Sequence, residues 1–291
     1  MNDFKKPSNE LSRGKAIAGC FLAVALLILA QSLALFISLP LPTLGLPGAV
    51  CNVVAGLLYA AFALTGAVLL AARFLRLSPA GLRLAFRRPE PIWLLSALLL
   101  PALVLLVYTI LGGKWTATYL EARVRASLVA GAVAYYGLAA GLTEELMFRG
   151  IIMGCLERAF NMKLAVILPS VLFGALHLIV GGLSLIGAIQ LLIAGSLVGI
   201  LFSLITLERG SIWSAALVHG LWNMVFAGGL VHVGNSAEGD AVFNLTINSS
   251  SMLLTGGDFG VEASLVSILA YAVFSLLAYW LLRKKGRIKN R

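Results

Sequence analysis

Charged residues are scarce along this chain of 291 residues. They make up 12% of it, against roughly a quarter in ordinary soluble domains, while 60% of the residues are hydrophobic. A water-soluble core cannot absorb that much apolar surface, so a soluble fold is excluded. Cysteine is also rare: Cys20, Cys51 and Cys155 are the only three. They form no CxxC or metal-ligand spacing and two lie inside apolar stretches, so neither a disulfide framework nor a cysteine nucleophile is indicated. Acidic residues number 12 against 22 Lys and Arg, a net charge of +10. Nucleic-acid binding would need those cations gathered on a folded surface with groove-reading elements among them. Here they sit between apolar runs and at both ends, so no nucleic-acid partner is expected. Internal repeats and low-complexity segments are absent too, and the chain reads as a single membrane domain over residues 16–282, preceded by a cytosolic segment 1–15 and followed by a basic tail 283–291.

What is abundant is long apolar runs. A bilayer core of about 30 Å takes about 20 apolar residues per helix, and eight runs bounded by charge, Pro or Gly meet that length: Ala16 to Leu39, Ala49 to Ala72, Pro91 to Leu111, Ser127 to Phe148, Leu164 to Val180, Leu183 to Leu207, Ser211 to Leu230 and Ala263 to Leu282. The first is too long for the apolar region of a cleaved signal and lacks a small-residue cleavage site, so it is read as a retained span. The expected fold is all-α, a polytopic membrane protein of about eight transmembrane helices enclosing a polar catalytic cavity. Cytoplasmic loops collect Lys and Arg. With the N-terminus inside, nineteen of the twenty-two basic residues fall on that side, and only Lys114, Arg123 and Arg125 fall outside. Both termini are therefore expected in the cytosol.

Three segments outside the spans receive plain readings. Leu75 to Arg88 spaces leucines among arginines and is expected to lie as a helix on the inner surface, touching anionic headgroups. Asn244 and Asn248 begin glycosylation-type triplets but are read as loop residues. His232, just past the seventh span, is read as a loop residue without a catalytic role.

Ionisable groups inside hydrocarbon cost about 2.5 to 3.5 kcal/mol each on insertion scales, and those this chain keeps are confined to spans four to seven: Glu144, Glu145, Arg149, His177 and His219, with Asn223 beside them. Glu145 and Arg149 are four apart and can pair on one helical face. That leaves Glu144, about 100° further round, without that partner. Phe173 with His177, and His219 with Asn223, are also four apart. Taken singly, each has a structural reading: a clamp for Glu145 and Arg149, interhelical hydrogen bonds for the histidines and Asn223, packing for Phe173. Taken together on converging helices, they suit amide hydrolysis. A carboxylate and an imidazole can activate water, and an imidazole with an amide can bind an oxyanion. Two histidines and a glutamate could equally hold Zn²⁺. The residues themselves leave that choice open.

Glu144-Glu145-Leu-Met-Phe-Arg149 resembles an EExxxR motif, Phe173-Gly-Ala-Leu-His177 an FxxxH motif and His219-Gly-Leu-Trp-Asn223 an HxxxN motif. In this order, over residues 144–223 and preceded at the third by Arg209-Gly-Ser-Ile-Trp, they are similar to the CAAX-protease and bacteriocin-processing family of intramembrane endopeptidases. The resemblance implies an eight-helix fold with a cavity open to cytosol and membrane. It implies that Glu144 and His177 activate water, that His219 and Asn223 form the oxyanion hole, that Glu145 and Arg149 hold the first motif and that Phe173 packs beside the site. It implies a glutamate-type peptidase without a cofactor, the zinc-dependent alternative using Glu144, His177 and His219. Its substrate would be a peptide or lipid-modified protein, its setting the lipids of a cell membrane, in a prokaryote. The competing reading is a non-catalytic immunity or scaffold factor, or a transporter, that binds through the same polar residues; repeated halves, the usual mark of a transporter, are absent.

Overall fold

The computed structural model describes residues 10–286, so Lys5, Lys6, Arg287, Lys289 and Arg291 of the two basic ends lie outside the described residues. The apolar runs fold as helices: α1 (Arg13–Ser38), α2 (Gly48–Leu69), α3 (Pro91–Ile110), α4 (Ala122–Ala159), α5 (Met162–His177), α6 (Leu185–Arg209), α7 (Trp213–Val225) and α8 (Leu265–Lys284). Six of these are long and apolar enough to cross a membrane. Phe21, Leu57, Ile110, Leu185 and Leu276 stand exposed on the helices, a surface that water would penalise and lipid accepts. The chain is an all-α polytopic membrane protein.

The motif-bearing helices are the irregular ones. Helix α4 is interrupted by two stretches wound with i→i+5 hydrogen bonds, Gly131–Ala140 and Leu146–Ile152, which flank a five-residue α-helical piece, Gly141–Glu145. Such widening is uncommon and concentrates at functional sites. Helices α5 and α7 have 16 and 13 residues, about 24 and 20 Å at 1.5 Å per residue, short of a full crossing. The run expected to reach Val180 ends as α-helix at His177 because Gly181 and Gly182 take φ of 77° and 75°, a conformation glycine alone adopts freely.

Contacts define two ends of the bundle. At the basic end, the segment after α2 differs from the surface helix expected for Leu75 to Arg88. Arg76 and Arg83 have φ of 59° and 61°, left-handed values that stop a helix. The segment folds back as a strap with Leu77 and Leu82 buried against the protein and not against lipid. Its carbonyls are taken by the bundle: Ile212 N donates to Arg83 O, Ser211 Oγ to Ala85 O and Trp213 Nε1 to Leu84 O. Arg83 pairs with Glu157 at 2.5 Å. Beside this strap Lys285, at the end of α8, pairs with Glu90 and with the fully buried Glu208, which also accepts from Trp93 Nε1 at 2.7 Å.

At the opposite end the connecting loops form a small sheet that the all-α expectation did not include. Strand β1 (Lys114–Ala117) pairs antiparallel with β3 (Phe243–Thr246), and β2 (Val231–Gly234) pairs parallel with β3 on its other side. His232 is therefore a strand residue, not a loop residue. Asn244 is 2% exposed and bonded to Thr118 and Glu238, so it is sealed inside the fold, whereas Asn248 stays in a loop.

Candidate active site

The two glutamates of the first motif are set by helix α4 at the close of its α-helical piece. Glu145 points inward with its side chain fully buried, and the equally buried Arg149 donates through Nη1 to Glu145 Oε1 at 2.9 Å. The guanidinium also donates through Nη2 to Gly199 O of α6 at 3.0 Å and lies 4.9 Å from the Phe173 ring and 5.3 Å from the Phe202 ring. Four structures thus meet on one cation: the first motif, the second motif, and both a carbonyl and an aromatic face of α6.

Glu145 has a second partner that the spacing did not disclose. His219 Nδ1 stands 2.9 Å from the same Oε1. Its other nitrogen, Nε2, is 3.7 Å from Glu144 Oε2, and the Glu144 side chain is the one carboxylate of the pair with residual exposure, at 19%. A carboxylate accepts and does not donate, so Nδ1 of His219 bears the proton and Nε2 is the nitrogen turned to Glu144. The ring is stacked on Phe202 with centroids 4.6 Å apart and planes at 19°. It can approach because α4 and α7 touch at glycines. A Cβ on Gly141 would stand 2.7 Å from Gly220 Cα, and one on Gly220 would stand 2.7 Å from Gly137 O. Small residues of this kind let membrane helices close to backbone distance.

His177, the last residue of α5, places Nδ1 at 2.8 Å from Phe173 O. A carbonyl also only accepts, so this nitrogen carries a proton. The ring packs on Phe173 at 4.8 Å and on Phe259, from the loop before α8, at 6.0 Å. Phe173 in turn meets His219 edge-on at 5.7 Å, so it is the partition between the two imidazoles. Asn223 donates from Nδ2 to Tyr136 O of the widened stretch of α4 at 3.3 Å. Glu144, Glu145, Arg149, Phe173, His177 and His219 are brought together by these contacts. Among the described residues Glu144 makes no direct hydrogen bond to His177.

Two side chains absent from the motifs complete the surroundings. Phe202 has no signal in the sequence, being one apolar residue in an apolar span. Glu262 follows the basic-free loop after α7, and its carboxyl accepts from Trp222 Nε1 at 2.8 Å. Burial lifts this carboxyl above the ordinary carboxylate range, and the nearby His177, the Trp222 hydrogen bond and His219 offset only part of that. As to metal, the described residues include no group of three or more His, Cys, Asp or Glu side chains placed to hold an ion.

No curated protein and no solved structure matches the chain. A family model does, over residues 126–225, which run from the first turns of α4 to the end of α7 and hold every motif residue. That four-helix segment matches the family model described as type II CAAX prenyl endopeptidase Rce1-like.

Proposed function

We propose that this chain is an intramembrane endopeptidase that hydrolyses a peptide bond in a membrane-associated, lipid-modified peptide or protein, using water activated by Glu144 and His177. The observation that carries the reading is the Glu145–His219–Glu144 arrangement, with Nδ1 of each imidazole engaged by a neighbouring acceptor, within the segment matched to a CAAX endopeptidase family model. In this mechanism Glu144, the partly exposed carboxylate of the pair, and His177 Nε2 hold a water and take its proton as the oxygen attacks the scissile carbonyl. The proton passes to the departing amine. His219 and Asn223 stabilise the oxyanion that forms. Asn223 has a second N–H beyond the one given to Tyr136. His219 offers a donor at Nε2 only when the ring carries both protons, and two adjacent glutamates face it.

A cavity of about 420 Å³ between α2, α4 and α7 supports a lipid-bearing substrate. Its wall is made by apolar residues of α2, α4 and α7, among them Leu57, Leu138, Leu142 and Leu217, and it includes Gly220, the neighbour of His219.

No cofactor enters the proposal. The test is cleavage of a fluorescence-quenched peptide with a prenylated cysteine by purified protein in lipid vesicles, with elemental analysis alongside. Turnover by the wild type and none by a folded Glu144→Gln variant is expected. Unchanged cleavage by that variant would return these residues to a binding or scaffold role. Stoichiometric zinc, lost with activity in chelator and restored together with it, would overturn the metal-free mechanism.

A further inference from the structure

Trp222 lies inside the third motif, between His219 and Asn223, and is 3% exposed. Its ring packs on Phe226 at 4.5 Å and on Tyr271 of α8 at 5.1 Å. A buried indole N–H needs an acceptor, and Glu262 supplies it at 2.8 Å. Glu262 is itself held at both flanks. The turn that carries it, Val261–Ala263, gives Ala263 O to Gln190 Nε2 of α6 at 2.8 Å, Val261 O to Ser267 Oγ at 2.7 Å and Glu262 O to Tyr271 Oη at 3.1 Å. Three anchors on a three-residue turn fix the carboxyl relative to α6 and α8. Residues of the same turn also line a polar cavity of about 380 Å³ at the sheet end, together with Tyr136, whose carbonyl holds Asn223, and Phe259, whose ring meets His177.

We infer that Glu262 is a positioning residue of the site: by holding Trp222 it fixes the last turns of α7, and with them the orientation of Asn223 and His219, against a frame built by α6 and α8. Glu262 touches no reacting atom in this arrangement. It acts through the helix that carries the oxyanion donors. Half-buried, with its proton affinity raised by its surroundings, the carboxyl accepts the indole hydrogen bond whether or not it is ionised, so a neutral amide of the same shape can replace it.

The kinetic arm rests on the peptidase reading, so a second arm is independent of it. The chain has five tryptophans, and ¹⁵N labelling of the indoles gives five side-chain N–H signals, of which Trp222→Phe removes one and so assigns it. In Glu262→Ala that signal is expected to move to the position of an unbonded indole, and in Glu262→Gln to stay near the wild type. With the prenylated peptide as substrate, Glu262→Ala and Trp222→Phe are expected to lose between about 10- and 100-fold in kcat, the scale of a misplaced catalytic group. KM should stay within about twofold, and Glu262→Gln should recover most of the loss. Wild-type kcat in a folded Glu262→Ala variant overturns the inference, as does a Glu262→Gln variant no better than Ala. If Glu262→Ala does not fold, Trp222→Phe decides in its place, wild-type kcat again overturning it. If no variant and no wild type cleaves the peptide, the peptidase reading fails on its own. An indole signal of Trp222 unmoved by Glu262→Ala would then overturn the positioning role separately.

Discussion

Glu145 Oε1 is shared: it accepts from His219 Nδ1 at 2.9 Å and from Arg149 Nη1 at the same distance. One buried oxygen therefore joins the first motif to the third, while its twin Oε2 has no hydrogen-bond partner among the described residues. The acid next in sequence, Glu144, keeps partial exposure and stands 3.7 Å from the other nitrogen of His219.

Stability should divide these two acids. Glu145→Ala strands a buried guanidinium and Arg149→Ala strands a buried carboxylate, and breaking such a pair from one side costs about 3 to 5 kcal/mol. Both variants are expected to unfold at markedly lower temperature in detergent, whereas Glu144→Gln, partly exposed, should change little. Equal melting of all three would show that the clamp is wrongly assigned.

Rates should divide the catalytic groups in another way. Substituting Glu144 or His177 removes the base and is expected to abolish cleavage. Asn223→Ala removes one oxyanion donor and should leave a residual rate, lower by about 10²- to 10³-fold. Single-turnover measurements on the three variants check this, and a complete loss in all three would remove the distinction between base and donor.

Glu262 predicts a pH dependence of stability. Its carboxyl binds protons more tightly in the folded chain than in the unfolded one, with burial the main cause. Its stabilising contribution is then full below about pH 4, the range of an unfolded carboxyl, and is lost as pH rises through the raised folded value. The melting temperature of the wild type relative to Glu262→Gln should accordingly decline as pH is raised. A difference that stays flat or grows with pH would contradict the burial assigned to this group.

Orientation is open to a labelling experiment. The positive-inside rule predicts the basic end in the cytosol, so a cysteine reagent that does not cross membranes is expected to reach a cysteine placed at Asp240 but not one at Lys284 in intact cells. The opposite pattern would invert the orientation.

Much of the local geometry was legible because a helix repeats every 3.6 residues. Four-residue spacing anticipated the contact of Glu145 with Arg149 and of Phe173 with His177, and apolar run length anticipated the helices. What spacing does not encode is which helices cross. The Glu145–His219 bond joins residues 74 apart in sequence and depends on the approach of Gly141 to Gly220. Phe202 is indistinguishable by composition from the apolar residues around it, and Glu262 sits in a loop whose path is set by anchors on α6 and α8. The strap after α2 was misread as a surface helix because its leucines have helical spacing. Arg76 and Arg83, in left-handed conformations, and the carbonyls given to Ser211, Ile212 and Trp213 decide otherwise. The sheet was invisible for a related reason, since its four-residue strands come from loops far apart in the chain.

The pairing of Lys285 with Glu208 and Glu90 has a consequence for biogenesis. Glu208 is buried at the foot of α6, yet the lysine that balances it belongs to the end of the last helix, so a ribosome-bound chain carries this acid through the insertion of α7 and α8 without that partner. Only once the end of α8 has been made is Lys285 present to pair with Glu208 and Glu90. A chain truncated before Lys285 should therefore remain a client of the insertion machinery's quality control, however well its motif helices are formed.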